Sequence, residues 1–358
     1  MNMQAMVLNQ FGGRLQLQTV PVPRPGAGEV LVKVIACGAG LTLENVRAGT
    51  LGGAAPRIIG HELSGTVAEL GPGVRGWREG DPVTASFYLF CGRCSMCASG
   101  RETHCANFAG FIGAAIDGAF AEYVVLPAIN LVRIPEGVPL REAGVIADAV
   151  ATPYHAARER ARIVPGQRVA VIGAGGGVGI HLVEMAKAFG AFVIAVERDK
   201  EKMNQLEALG VDAIVDSNSD SWREDIIDAA GRPLDACIDF VGAPSTTSAV
   251  TTVGVGGKFI VVGVPPNVRS SVTADPLYLI NNEVEITGSR YATRAEIDES
   301  LRLVAEGRVR TVIGASYPLA AAEEALEAIR GNKVFGRVVI DVASDSPGGD
   351  VSPGSRDR

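Results

Sequence analysis

The sequence predicts an α/β protein in two parts, a barrel of short strands and a doubly wound parallel sheet. Three observations carry that expectation. At 358 residues and 47% hydrophobic, the chain can bury two ordinary cores. From Met6 to about Pro127 it reads as short strands punctuated by Gly and Pro. After Leu140, apolar strands and helix-period segments alternate instead.

Within the first part, the stretch from Glu29 to Ala36 alternates with the two-residue period of a half-buried strand. Positions 58–67 and 81–85 read likewise. Between these strands and the alternating region lies Cys91-Gly-Arg-Cys-Ser-Met-Cys97, followed by Cys105. Four thiolates spaced this way on a turn-rich loop can wrap a tetrahedral zinc and leave no open position for substrate, which makes the zinc structural. An iron–sulfur cluster is the other metal such cysteines could hold, but nothing else in the sequence suggests electron transfer. His104, among these cysteines, reads as a solvated loop residue.

In the second part, residues 141–161 read as helical. Strands are predicted at 168–172, 192–196, 213–215, 235–240, 258–262 and 284–287, with helices such as 181–189 and 200–209 between them. The first strand runs into Gly173-Ala-Gly-Gly-Gly-Val-Gly179, and a helix pattern follows at once. Bare backbone at such a turn lets phosphates approach, and the free N–H groups of the helix start receive their charge, so the turn predicts a dinucleotide site. Glu197 closes the second strand. An acid there accepts hydrogen bonds from ribose hydroxyls and repels a 2′-phosphate, favouring NAD over NADP. Arg198 beside it leaves room for NADP. Helices at 296–306 and 319–330 and a strand at 337–342 follow. Residues 346–358 form a polar tail expected to be disordered.

Net charge is −7 with both signs interspersed, which excludes the basic stripe that nucleic-acid binding needs. No apolar run reaches the ~18 residues of a membrane span, and the N-terminus lacks the order of a signal peptide. A cytoplasmic protein is expected, with its six cysteines as thiols or metal ligands.

Gly60-His-Glu62, the four-cysteine lobe, the glycine turn with its acid, and Gly336-Arg-Val-Val-Ile340 occur in an order that resembles the zinc alcohol dehydrogenase branch of the medium-chain dehydrogenase/reductase superfamily. The resemblance implies a GroES-like catalytic domain split over residues 1–149 and 289–345, with a zinc lobe at 90–106, around a Rossmann domain at 150–288. It further implies homodimers or homotetramers acting on a small-molecule substrate. The cofactor-binding set is Gly173, Gly175, Gly176, Gly177, Val178, Gly179, Glu197, Arg198, Gly263, Val264 and Arg337. Thr42 matches the hydroxyl that passes the substrate proton, and Asn45 falls where many relatives carry a relay His. His61, Glu62 and Asp148 match positions around a catalytic zinc. The family's ligand cysteine, however, is Gly40 here, and Leu43 replaces a supporting Asp. Cys37 is expected to be a core thiol.

Occupancy of the catalytic zinc is therefore left open, and three functions follow. The first is an NAD(H)-dependent alcohol dehydrogenase or carbonyl reductase with zinc on His61, Glu62 and Asp148. The second is a zinc-poor reductase of an activated C=C bond in an enal, enone or enoyl thioester. There Glu62 and Asp148 would face each other as like charges, so that one keeps a proton. The third is a nucleotide-binding protein without catalysis.

Overall fold

The computed structural model describes residues 1–242, 249–264 and 271–343. The expected tail lies outside them. Among the described residues, β1 (Asn2–Leu8), β2 (Leu15–Pro21) and β4 (Arg57–Ile58) form a small sheet in the order β2-β1-β4. A larger mixed sheet contains β3 (Glu29–Ala39), β5 (Glu62–Leu70), β6 (Pro82–Ala85), β7 (Tyr123–Pro127) and β8 (Leu131–Arg133). Two strands from the far end of the chain, β15 (Ile313–Pro318) and β16 (Arg337–Asp341), complete it in the order β15-β16-β3-β5-β6-β8, with β7 paired to β3. The N-terminal barrel thus includes a C-terminal return.

The remaining strands form a parallel sheet: β9 (Arg168–Ile172), β10 (Phe192–Glu197), β11 (Ala213–Asp216), β12 (Leu234–Asp239), β13 (Val253–Val261) and β14 (Glu285–Gly288). Their order, β11-β10-β9-β12-β13-β14, reverses direction beside β9, and a crevice opens at such a point. Both faces are covered. Val169, Val171, Val193 and Ala195 enter one core, while Ala170, Ile172, Ile194 and Val196 enter another. Continuous apolar runs, rather than alternating ones, are what burial on both faces requires.

One expectation gains detail and another needs correction. The helical stretch over 141–161 consists of Leu140–Ala143, then wide turns with i→i+5 hydrogen bonds at Ile146–Val150 and His155–Ala161 on either side of Ala151–Tyr154. Pro153 has no N–H to give the carbonyl four residues back, and the ladder widens around it. The strand over 58–67 breaks at Gly60, whose φ of +101° belongs to the left-handed region. A β-carbon there would also press on Phe120 at 2.7 Å. That break turns the chain so that His61 and Glu62 are both buried, with Glu62 starting β5.

Candidate active site

A cleft of about 980 Å³ runs between the two sheets. The parallel sheet contributes Gly173, Gly176, Gly177, Val178, Gly179, Glu197, Arg198, Gly263 and Val264 to its walls. Each of these was expected from the sequence. Gly175 is not among the lining residues; its N–H donates instead to Glu197 Oε2 at 3.0 Å.

The glycine turn resolves by position. Gly173 adopts a φ of +79°, and a β-carbon on Gly179 would collide with the Gly173 carbonyl. These two glycines bring the Gly179–Ala188 helix down onto the end of β9 and aim its N-terminus at the cleft. Glu197 Oε1 accepts the Arg198 and Asp199 N–H groups at 2.8 and 3.3 Å. A further cation, missed in the sequence, is Lys202, which lines the cleft and donates to Asn332 Oδ1 at 2.7 Å. Its sequence signal is an acid followed five positions later by Lys, in the first turn of a helix capped by Asp199. The turn, helix start, acid and volume fit a dinucleotide.

The barrel contributes Gly40, Thr42, Asn45, Asp148, Thr152, Tyr291 and Arg337. Thr42 begins the Thr42–Arg47 helix. Asp148 lies in the first wide turn, 3% exposed, and Thr152 one turn later donates to its Oδ1 at 2.6 Å. His61 Nε2 lies 3.3 Å from Asp148 Oδ2 and 3.7 Å from Glu62 Oε1. His61 and Glu62 do not line the cleft; they stand behind Asp148 and Arg337. Tyr291, with a φ of +50°, packs edge-on against Phe87 at 5.0 Å, and Phe87 packs on His61 at 4.8 Å. Burial raises the Tyr291 hydroxyl, and the nearby Asp148 charge adds to the effect. Cys37 is fully buried, and burial pushes its thiol up, as suits a core cysteine.

Arg337 lies against the acids. Its stem passes the glycine turn, with the Cδ atom 3.0 Å from where a Gly177 β-carbon would stand. Its guanidinium pairs with Glu62 Oε1 and reaches to 3.7 Å from Asp148 Oδ2. The residue is 4% exposed, and burial pushes its pKa down to about 10, so the group remains charged at neutral pH. This corrects the expectation of two like charges facing each other, because a cation sits between them.

Ligand atoms of His61, Glu62 and Asp148 do fall within 4.8 Å of one another, the spread a metal needs. The guanidinium occupies the same ground. A zinc bonded to both carboxylates at ~2.1 Å would sit in contact with it, and the thiolate that would offset two cations is absent at Gly40. As arranged, these residues do not fit a catalytic zinc.

The cysteine lobe does fit one. The Sγ atoms lie 3.5 Å apart for Cys94 and Cys97, 3.9 Å for Cys94 and Cys105, and 4.0 Å for Cys91 and Cys97. A tetrahedron with bonds of ~2.3 Å has edges of about 3.8 Å. The Cys91 and Asn107 N–H groups donate to Cys105 Sγ, and the Asn107 amide donates to Cys91 Sγ. That amide is the chief reason the Cys91 thiol is lowered to about 5; burial pushes Cys97 up to about 12, a proton that metal binding must displace. His104 is exposed and beside Thr103, outside the sulfur cluster.

The other two histidines are structural in geometry. His155 Nδ1 lies 2.7 Å from Glu296 Oε1, and His181 bridges Gly177 O and the Val312 N–H, both at 2.9 Å.

Comparison with known proteins fits this arrangement. Residues 26–136 match the alcohol dehydrogenase GroES-like domain, and residues 177–306 match the zinc-binding dehydrogenase family. The chain is 34% identical to an alcohol dehydrogenase of Geobacillus stearothermophilus, over 95% of this chain and 100% of that one. It is 30% identical to an acryloyl-coenzyme A reductase of Sulfurisphaera tokodaii, over 94% and 99%. A thermostable alcohol dehydrogenase from Pyrobaculum aerophilum, solved with cobalt and zinc bound, superposes with a TM-score of 0.86 at 33% identity, over 96% of this chain and 100% of that one. The chain therefore belongs to the zinc-containing alcohol dehydrogenase family of medium-chain dehydrogenase/reductases and is an oxidoreductase of that type.

Proposed function

We propose that the chain interconverts an alcohol and an aldehyde or ketone using NAD(H). The observation that carries this reading is one cleft walled on one side by the glycine turn and Glu197 and on the other by Thr42, Asp148 and Arg337. Glu197, held by three backbone N–H groups, keeps a negative charge where the adenosine ribose binds, which supports NAD over NADP. Lys202 reaches the same wall as a donor to ribose or phosphate oxygens.

A bound nicotinamide supplies or removes the hydride. The residues of the chain manage the oxygen and its proton. In reduction, the Thr42 hydroxyl donates to the substrate oxygen as negative charge develops, and Arg337 lends a fixed positive charge from the adjoining wall. The proton that completes the alcohol passes through Thr42, beside Asp148, which His61 and the Thr152 hydroxyl hold in place. Carbonyl, NADH and one proton thus give alcohol and NAD⁺. The test is loss of NADH absorbance on a panel of aldehydes and ketones, with the reverse reaction on the matching alcohols.

A second reading is reduction of an activated C=C bond, favoured specifically by the guanidinium in place of a metal. Hydride from NADH then adds to the β-carbon, charge spreads onto the thioester or carbonyl oxygen so that a weaker electrophile suffices, and the α-carbon takes a proton by way of Thr42. Turnover of enoyl thioesters without turnover of simple carbonyls would select it.

The division into a barrel of 1–149 with 289–345 and an inserted domain of 150–288 belongs to the same proposal, as does a structural zinc on Cys91, Cys94, Cys97 and Cys105. So do a cytoplasmic location and a homo-oligomer. For the last, support comes from Leu277 and Ile280, exposed apolar side chains just before edge strand β14. Among the described residues, no helix is long and apolar enough to cross a membrane.

A further inference from the structure

We propose that the Arg337 guanidinium permanently holds the position a catalytic metal would need, so that this chain carries zinc at its cysteine lobe alone and works through a fixed organic cation.

Strand register explains how the arginine arrives there. In the antiparallel pair of β16 and β3, Val338 faces Ala39, which brings Arg337 opposite Gly40. On the other edge of β3, Gly38 faces Glu62 of β5. Positions 38 and 40 point to the same face of the strand, and both are glycine. The Arg337 and Glu62 side chains therefore reach over β3 from opposite neighbours and meet above it. A side chain at either position would crowd them: a β-carbon on Gly40 would meet the guanidinium, and one on Gly38 the Glu62 carboxylate. A cysteine at position 40 would require the guanidinium to move aside.

Charge balance points the same way. Glu62 is fully buried and Asp148 nearly so. A buried carboxylate without a cation is costly. Arg337 answers Glu62 directly, and Asp148 has the His61 Nε2 and the Thr152 hydroxyl. Glu62 thus has a cation against it before any metal is added. A divalent ion would carry this cluster of two carboxylates and one guanidinium from a net negative to a net positive charge.

The role of this cation in turnover rests on the hydride-transfer reading above, but its occupancy of the site does not, and the test separates the two. Metal analysis of the purified full-length protein after dialysis should give one zinc per subunit, unchanged in His61→Ala and lost in Cys97→Ser. Gly40→Cys/Arg337→Ala, which removes the guanidinium and restores a thiolate, should gain a second metal; loaded with cobalt(II), it should show the visible absorption of a tetrahedral thiolate site. Two zinc ions in the wild-type protein, one of them lost in His61→Ala, would overturn the proposal. That result is decisive even where the double variant does not fold, and no metal count depends on finding a substrate.

Discussion

Glu197 Oε2 accepts the backbone N–H of Gly175 at 3.0 Å, tying the end of β10 to the turn that follows β9. The ribose-binding acid and the phosphate-binding turn therefore form one unit, and a change at either is felt by both. Glu197→Gln loses the charge and, with its amide nitrogen at either position, at least one of the three N–H acceptances. The NADH dissociation constant should rise about tenfold, equivalent to ~1.4 kcal/mol, while NADPH binding improves relative to NADH. Fluorescence titration with both nucleotides reads this directly. Unchanged affinity for both would remove Glu197 from the cofactor site.

Thr42 is expected to act on the substrate oxygen and not on the cofactor. Thr42→Val keeps the shape and removes the hydroxyl. Turnover should fall about 100-fold with NADH affinity unaltered, and Thr42→Ser should recover most of it. A valine variant as fast as the wild type would show that the proton travels by another route.

Legibility in the sequence followed the range of the forces involved. The parallel sheet was readable because a strand buried on both faces must be apolar at every position, as Val169–Ile172 and Val193–Val196 are. The cysteine lobe was readable because its ligands are close along the chain. The helical stretch over 141–161 was readable, but its wide turns depended on Pro153 within a pattern otherwise well suited to regular helix. What the sequence could not disclose was the meaning of Gly40. Its absent thiol is visible, but the occupant of the space, Arg337, comes from the other end of the chain and reaches Gly40 only through the pairing of Val338 with Ala39. Arg337 was assigned to the cofactor on its motif; its stem does border the glycine turn, yet its charge is turned toward Glu62.

The cysteine lobe should be a stability element independent of catalysis. Cys97→Ser leaves three thiolates and an oxygen that binds zinc poorly, so zinc content should fall. A loss of about 3 kcal/mol in a chain of this size lowers Tm by roughly 4 °C. Calorimetry beside metal analysis checks both parts. A variant that keeps its zinc, or loses it with Tm unchanged, contradicts a structural role.

His181 gives the protein an acid limit. Burial holds its folded pKa down to about 4, against an ordinary value of 6.5, and its two nitrogens are committed as one donor, to Gly177 O, and one acceptor, from the Val312 N–H. Only the neutral ring satisfies both. Because the folded pKa is the lower one, folding favours the unprotonated form, and the sign is fixed: stability is intact above pH 6.5. As pH falls through 6.5 the unfolded chain takes up a proton that the folded chain refuses, and stability drops until about pH 4. The total is on the order of 3 kcal/mol. In His181→Gln, whose amide can donate and accept at similar positions without titrating, this part of the acid slope should vanish. Urea unfolding at a series of pH values between 7 and 4 measures it, and an identical slope in the two proteins would place the acid sensitivity elsewhere.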